Sequence, residues 1–153
     1  NGCKKVIGFD YDLNAVDQAY NFSCKDKLNF LPIYFDASNP STRIGWNEAE
    51  RKSFNDRANF DCVLALAFKH HLSLAKNIPL DEVIIWIMSL APKGLIEFVP
   101  KNDETVKKML EIKGDIFKNY TEENFEKYIK KNGKIISITN ISKSGRKIYE
   151  FER

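Results

Sequence analysis

The sequence is poor in the residues that mark a disulfide framework, a zinc site or a membrane span. Its three cysteines, Cys3, Cys24 and Cys62, are odd in number, lie far apart and show no C-x-x-C or Cys/His ligand spacing. This pattern argues against structural disulfides and zinc and favours reduced thiols. The longest apolar run, residues 83–91, is too short to cross a bilayer, and no signal peptide is recognisable. We therefore expect a cytoplasmic protein with no metal and no membrane partner.

A strong charge of either sign is also lacking, because 24 basic and 21 acidic residues leave a net charge of +3. Such a balance does not itself predict a nucleic-acid partner. Basic residues are denser at 127–134 and 143–147, which leaves nucleic acid open as a partner, with a solvated face as the alternative. The length of 153 residues suits one domain, 1–153. Because the sequence does not begin with Met and reaches an apolar run almost at once, we expect a piece of a longer protein.

Apolar runs and helical periodicities alternate along the chain. The runs predict strands at residues 5–9, 30–35, 60–67 and 95–99, and a closing hairpin at 135–141 and 147–151. Helices are predicted after Asp12, at 47–55, from Pro79 to residue 91, at 103–113 and at 122–131. The last of them is capped by Thr121 and closed by Gly133. This order predicts an α/β fold with a mostly parallel sheet, helices on both faces and a C-terminal antiparallel hairpin.

Carboxylates stand where the first two predicted strands end. Ligands of open α/β sheets bind beyond the carboxyl ends of the strands. Asp10 is therefore placed to accept hydrogen bonds from a ribose diol. Asp36 would meet the exocyclic amine of an adenine, with the Ala37 N–H facing a ring nitrogen. The structural alternatives are a helix N-cap for Asp12, a solvated loop carboxylate for Asp10 and a turn-forming role for Asp36.

The pair Asp10-x-Asp12 has a second interpretation. Phosphatases of the haloacid dehalogenase type use a D-x-D as nucleophile and acid. Their motif continues with Thr or Val two residues later, where this sequence has Asn14. No paired acidic motif for Mg²⁺ follows the fourth predicted strand, which ends in EFVP. We therefore do not expect phosphatase activity.

Several segments follow one another in a fixed order over nearly the whole chain: VIGFDYDLNAVDQAY, FLPIYFDASNP, FDCVLALAFKHHL, APKGLIEFVPK and the closing hairpin. Together they resemble the latter part of a class I S-adenosylmethionine-dependent methyltransferase, which has a Rossmann-like fold. Within that superfamily, GWNEAERKS and YTEENFEKYI are similar to bacterial nodulation-protein-like methyltransferases. The resemblance implies S-adenosyl-L-methionine as cofactor and methyl transfer to an acceptor that the sequence does not identify.

The resemblance also implies roles for individual residues. Asp10 would bind the cofactor ribose, Tyr11 would pack on the adenine, and Asp36 and Ala37 would contact the adenine edge. Ala65, Leu66 and Ala67 would lie beside the methionine moiety and the transferred methyl group. His70 and His71 open the following helix, where one of them would act as general base, the alternative being that His71 caps or packs at the helix start. The segments 38–46 and 117–120 would border the acceptor pocket. There Trp46 and Tyr120 would stack on an aromatic or sugar acceptor, the equal alternative being aromatic packing alone.

One motif of the family is lacking. Its first strand and glycine-rich turn, of the E/D-x-G-x-G-x-G kind, have no counterpart among the seven isolated glycines. We therefore expect an N-terminally truncated methyltransferase domain that is inactive alone and forms a homo-oligomer through exposed sheet edges. The alternatives are an NAD-dependent Rossmann oxidoreductase and a catalytically inactive α/β binding module.

Overall fold

The structure, a computed structural model, describes residues 3–153. The chain divides into two compact units between Ser53 and Phe54. The strands described form a two-stranded sheet, β1-β2, in the first unit and a four-stranded sheet, β3-β4-β6-β5, in the second. No helix within residues 3–153 combines the length and the apolarity needed to cross a membrane.

The first unit is built on one strand-helix-strand motif. Strands β1 (Val6–Asp10) and β2 (Phe30–Tyr34) pair in parallel, and helix α1 (Leu13–Lys25) connects them. The predicted N-cap is confirmed, because the Asp12 carboxylate accepts a hydrogen bond from the Asn14 N–H at 2.9 Å. The hydroxyl of Ser23 on α1 donates to the carbonyl of Phe30 at 2.6 Å and ties the helix to the sheet.

The second unit contains a mixed sheet. Strand β3 (Val63–Ala65) runs parallel to β4 (Lys93–Phe98), whereas β6 (Lys147–Glu152) runs antiparallel to both β4 and β5 (Lys134–Asn140). The α/β class and the closing hairpin are as predicted. Gly94 allows β3 and β4 to approach, because a Cβ at this position would lie 2.3 Å from the Val63 carbonyl oxygen.

Helices of the second unit supply most of its core. They are α2 (Phe54–Arg57), a π-helix (His71–Ala75), α3 (Leu80–Ser89), α4 (Glu104–Lys113) and α5 (Glu122–Asn132). Helices α3 and α5 contact each other, and Val83, Ile84, Ile87 and Ile129 are almost completely buried. This burial matches the i, i+3, i+4, i+7 spacing that predicted α3.

Two predicted elements differ in the structure. The predicted helix 47–55 is wrong: a 3₁₀ turn (Trp46–Glu48) and the short α2 take its place, because Asn47 and Glu48 have φ near +55°. The third strand is shorter than predicted and covers Val63–Ala65. Gly133 closes α5 as its C-cap, as predicted, and does so in an extended conformation. Its hydrogen makes room for the Glu152 carbonyl, which would lie 2.4 Å from a Cβ.

Candidate functional site

The carboxyl ends of β1 and β2 lie side by side. Asp10 pairs with Tyr34, and the Asp10 carbonyl accepts a hydrogen bond from the Phe35 N–H at 2.9 Å. Asp36 is the next residue along the chain. The parallel register therefore brings the two predicted ligand-binding carboxylates to the same edge of this sheet.

Asp10 is exposed and takes part in a turn. Its Oδ1 accepts a hydrogen bond from the Asp12 N–H at 2.9 Å. No residue within 3–153 donates to its Oδ2. The carboxylate thus orders the start of α1 with one oxygen and keeps the other available to a ligand. The roles of ribose ligand and solvated loop carboxylate are both compatible with this geometry.

Asp36 forms a turn, which the sequence analysis gave as the alternative to a contact with adenine. Its Oδ1 accepts hydrogen bonds from the Ser38 N–H at 2.9 Å and from the Ser38 hydroxyl at 2.6 Å. This is an Asx turn, in which an aspartate side chain takes the place of a backbone carbonyl. Asp36 and Ala37 are both half-buried. Their predicted contacts with an adenine edge remain a prediction.

An aromatic pair lies beside these carboxylates. The rings of Tyr11 and Tyr34 have centroids 5.6 Å apart and planes tilted by 35°. Tyr11 is nevertheless 60% exposed. An exposed phenol ring can pack against a planar ligand. This arrangement suits the predicted contact of Tyr11 with an adenine.

The second group of predicted residues follows β3. Ala65 is buried, Leu66 is 48% exposed, and Ala67 adopts a left-handed conformation with φ of +48°. Such a φ is uncommon for a residue other than glycine and is costly. The Ala67 N–H donates to Oε2 of Glu97, the next-to-last residue of β4, at 2.6 Å. The loop that leaves β3 is therefore fixed by a charged hydrogen bond from the neighbouring strand.

Lys69 is completely buried, which the sequence analysis missed. Its Nζ donates to the Tyr120 hydroxyl at 2.8 Å and lies 4.2 Å from the ring centroids of Phe98 and Tyr120. Burial lowers the pKa of Lys69 well below its usual value, and the charge of Glu97 opposes that effect. Contact with aromatic faces offsets part of the desolvation of the ammonium group. A lysine directly after the apolar run ALAF was the only sequence signal for this site.

Tyr120 does not border an open acceptor site. It is 3% exposed, and its hydroxyl donates to the Val99 carbonyl at 2.8 Å while accepting from Lys69. Burial, followed by the charges of Asp103 and Glu97, raises the pKa of Tyr120. The prediction that Tyr120 stacks on an acceptor is therefore wrong. Trp46, by contrast, is 84% exposed.

The two histidines have different environments. His70 is 2% exposed, and no partner for its Nδ1 occurs in the described part of the chain. Burial is the main reason why the pKa of His70 falls to about 4. The positive charges of His71, Lys69 and Arg146 lower it further, whereas the negative charge of Asp103 raises it. His71 begins the π-helix, is exposed, and stacks on His70 with ring centroids 4.3 Å apart. Partial desolvation lowers the pKa of His71. Of the two histidines, His71 is the one that is exposed to solvent.

A charged network surrounds the end of β4. Arg146 donates to Asp103 through Nε at 2.7 Å and Nη2 at 2.9 Å, and its Nη1 lies 3.5 Å from Glu97 Oε1. Asp103 also caps α4 by accepting from the Thr105 N–H at 3.1 Å. The hydrogen bonds from Arg146 are the main reason why the pKa of Asp103 falls to about 2. Glu97, Asp103 and Arg146 were not predicted as site residues.

The predicted site residues therefore form two groups, each assembled within its own unit. Asp10, Tyr11, Asp36 and Ala37 lie at the edge of the β1-β2 sheet; Ala65, Leu66, Ala67, His70 and His71 follow β3. Within residues 3–153, His, Cys, Asp and Glu side chains do not gather in threes that could hold a metal ion.

Comparison with known proteins gives a close relative in sequence and a shared fold. No family model matches the chain. Nodulation protein NoeA of Rhizobium meliloti (strain 1021) is 50% identical over all 153 residues, and the chain spans about a third, 32%, of its length.

Solved structures with similar folds have much lower sequence identity. One is the 16S rRNA methyltransferase RmtF in complex with S-adenosyl-L-homocysteine, with a TM-score of 0.58 at 14% identity. The match covers 96% of this chain and 47% of the RmtF chain. Another is the PH0226 protein from Pyrococcus horikoshii OT3, with a TM-score of 0.59 at 15% identity. The match covers 97% of this chain and 71% of the PH0226 chain. The chain has the Rossmann-like α/β fold found in methyltransferases.

Proposed function

We propose that the chain is part of an S-adenosylmethionine-dependent methyltransferase. The observation that carries the proposal is the edge of the β1-β2 sheet, where Asp10 ends β1, Asp36 follows the adjacent parallel strand β2 by two residues, and Asp10 Oδ2 is open to a ligand. The likeness in fold to RmtF, which was solved with S-adenosyl-L-homocysteine, supports the same conclusion. Because the chain spans about a third of NoeA, activity is proposed for the full-length protein.

The edge of the first unit would bind the adenosine part of the cofactor. Asp10 would accept hydrogen bonds from the ribose hydroxyls, which suits a carboxylate with one unengaged oxygen. Tyr11 would pack on the adenine, and Asp36 with Ala37 would contact its edge. The turn formed by Asp36 and Ser38 would hold the Ala37 N–H in place.

The loop after β3 would serve the transfer step. When bound, the cofactor supplies a methyl group activated by its sulfonium. Ala65, Leu66 and Ala67 would line the space beside that group, so their work is alignment of donor and acceptor. If the acceptor atom carries a proton, His71 would accept that proton. His71 is exposed, and its lowered pKa favours the neutral imidazole, which is the form that can act as a base. His70 is too deeply buried for that role.

Binding calorimetry on the full-length protein tests the proposal. We expect S-adenosylhomocysteine to bind and NADH not to bind. Asp10→Ala should weaken S-adenosylhomocysteine binding about tenfold or more, because a charged hydrogen-bond acceptor is removed. Asp12→Asn is the matched control, because asparagine also caps helices well and the ribose contact is unaffected. Equal affinity in Asp10→Ala would contradict the assigned site, and binding of NADH alone would favour an oxidoreductase.

A further inference from the structure

Residues 66–71, which we call the post-β3 segment, are attached to the end of β4 at two points. The Ala67 N–H donates to Glu97 Oε2 at 2.6 Å. Two residues later, Lys69 Nζ donates to the Tyr120 hydroxyl at 2.8 Å, and that hydroxyl donates to the Val99 carbonyl. Both attachments come from polar groups buried in an otherwise apolar core. The segment therefore does not behave as an ordinary surface loop.

Glu97 is the more informative of the two attachments. It is buried on a strand whose neighbours Ile96 and Phe98 are also buried, where an apolar residue would avoid the desolvation of a carboxylate. Its hydrogen bond goes to an amide whose residue, Ala67, has an unfavourable left-handed φ. A short hydrogen bond to a charged acceptor is among the stronger ones in proteins. Glu97 thus offsets the strain of the conformation that it holds.

The remaining charges of the cluster orient Glu97. Arg146 lies 3.5 Å from Glu97 Oε1 and is itself held by two hydrogen bonds to Asp103. Asp103 is fixed in turn by the start of α4 and by the Ser144 hydroxyl at 3.1 Å. The carboxylate that holds Ala67 is therefore braced from α4 and from the β5-β6 connection.

We propose that Glu97 is a positioning residue for methyl transfer, a role that rests on the proposed function. By fixing Ala67, Glu97 sets the direction of the post-β3 segment, with Leu66 and His71 exposed and Lys69 and His70 buried. It touches neither cofactor nor acceptor in this role. A displacement of about 1 Å in such a segment can reduce the rate of a reaction about a hundredfold.

Hydrogen exchange measured by mass spectrometry on the full-length protein tests this directly. Glu97→Gln keeps the shape of the side chain and an acceptor oxygen but removes the charge. We expect exchange in the post-β3 segment to rise about tenfold, while the β5-β6 hairpin exchanges as in the wild type. The affinity for S-adenosylhomocysteine should fall by a similar factor.

Two further variants separate positioning from a general loss of structure. Glu122→Gln is the matched control, because Glu122 accepts hydrogen bonds from Lys147 and Tyr149 in the same unit, and it should change neither measurement. Ala67→Gly added to Glu97→Gln should restore much of the protection, since glycine adopts a positive φ without strain. If Glu97→Gln does not fold, Arg146→Lys should give a smaller rise in exchange confined to the same segment.

The outcomes distinguish this proposal from the proposed function. If S-adenosylhomocysteine binds the wild type but Glu97→Gln leaves exchange or that affinity unchanged, the positioning role is wrong and the methyltransferase assignment stands. A uniform rise in exchange throughout the second unit would also overturn the role, because Glu97 would then support the fold rather than the segment. If the wild type binds no S-adenosylhomocysteine, the assignment of function fails first.

Discussion

The two units of the chain differ in apolar burial: both expose large apolar side chains, but the buried ones lie in the second unit. In the second unit, from Phe54 onward, residues such as Ile84, Phe125 and Tyr149 are completely buried. In the first unit, up to Ser53, many large apolar side chains are exposed: Val6, Phe9, Tyr11, Leu13, Tyr20, Phe22, Leu28, Leu31, Tyr34, Ile44 and Trp46. The second unit therefore depends more on apolar packing between distant segments than the first unit does.

The same contrast applies to the charged residues. Asp10 and Asp36 accept hydrogen bonds from backbone groups two residues away, whereas Glu97 accepts one from Ala67, thirty residues earlier. A turn carboxylate remains accessible, while a carboxylate in a core has to be braced by other charges. Substitutions of the same chemical type should therefore have unequal effects in the two units.

The largest difference is expected for apolar truncation. Phe125→Ala should lower the free energy of unfolding by about 3–5 kcal/mol, because the ring is buried against Phe98 and Tyr149. Phe22→Ala, on a side chain that is 59% exposed, should change it by less than about 0.5 kcal/mol. Urea denaturation followed by circular dichroism measures both. Similar values for the two variants would remove the contrast between the units.

The next largest effect is expected for the pH dependence due to His70. Its folded-state pKa of about 4 lies below the usual 6.5, so the folded protein binds fewer protons between those values. Stability should therefore fall as pH falls through that interval, by about 3 kcal/mol from this group. His70→Gln should remove that part of the slope in denaturation at a series of pH values, and the exposed His71→Gln should remove less. An unchanged slope in His70→Gln would show that the group is hydrated in solution.

Asp103 should affect stability in a lower pH range than His70 does. Its folded-state pKa of about 2 lies below the usual 3.8, so its contribution is present above pH 4 and is lost as pH falls toward 2. Asp103→Asn should reduce the acid sensitivity of the second unit by about 2 kcal/mol and lower its stability at neutral pH. Asp61→Asn, on an exposed side chain of the same unit, is the control for acid titrations. Acid sensitivity equal to that of the wild type would contradict the bonding described for Arg146.

The smallest effect is expected in the first unit. Asp12→Ala should destabilise α1 by about 1 kcal/mol, because the Asn14 N–H loses its capping partner. Hydrogen exchange in α1 would report this change, and Asp12→Asn should show almost none. Faster exchange in both variants would indicate that the carboxylate charge, rather than the cap, stabilises the helix.

Local patterns predicted most of the elements correctly. Alternation of apolar runs and helical spacings predicted β1, β2, β4, the closing hairpin and α3 to within a few residues, because each pattern reflects burial of one face of a single element. The capping aspartate of α1 was predicted for the same reason, since a cap involves neighbours in sequence. The helix predicted at 47–55 failed because two left-handed residues in a tight turn leave no periodic signal.

The sequence by itself determined the α/β class, the order of the elements and the position of Asp10 and Asp36 at strand ends. Only the tertiary structure decided which polar groups are buried. Lys69 lies against rings from Phe98, Tyr120 and Phe125, and Glu97 reaches back to Ala67. The energy of a buried charge depends on partners that are distant in sequence, so no local pattern could separate His70 from His71 or show that Tyr120 belongs to the core.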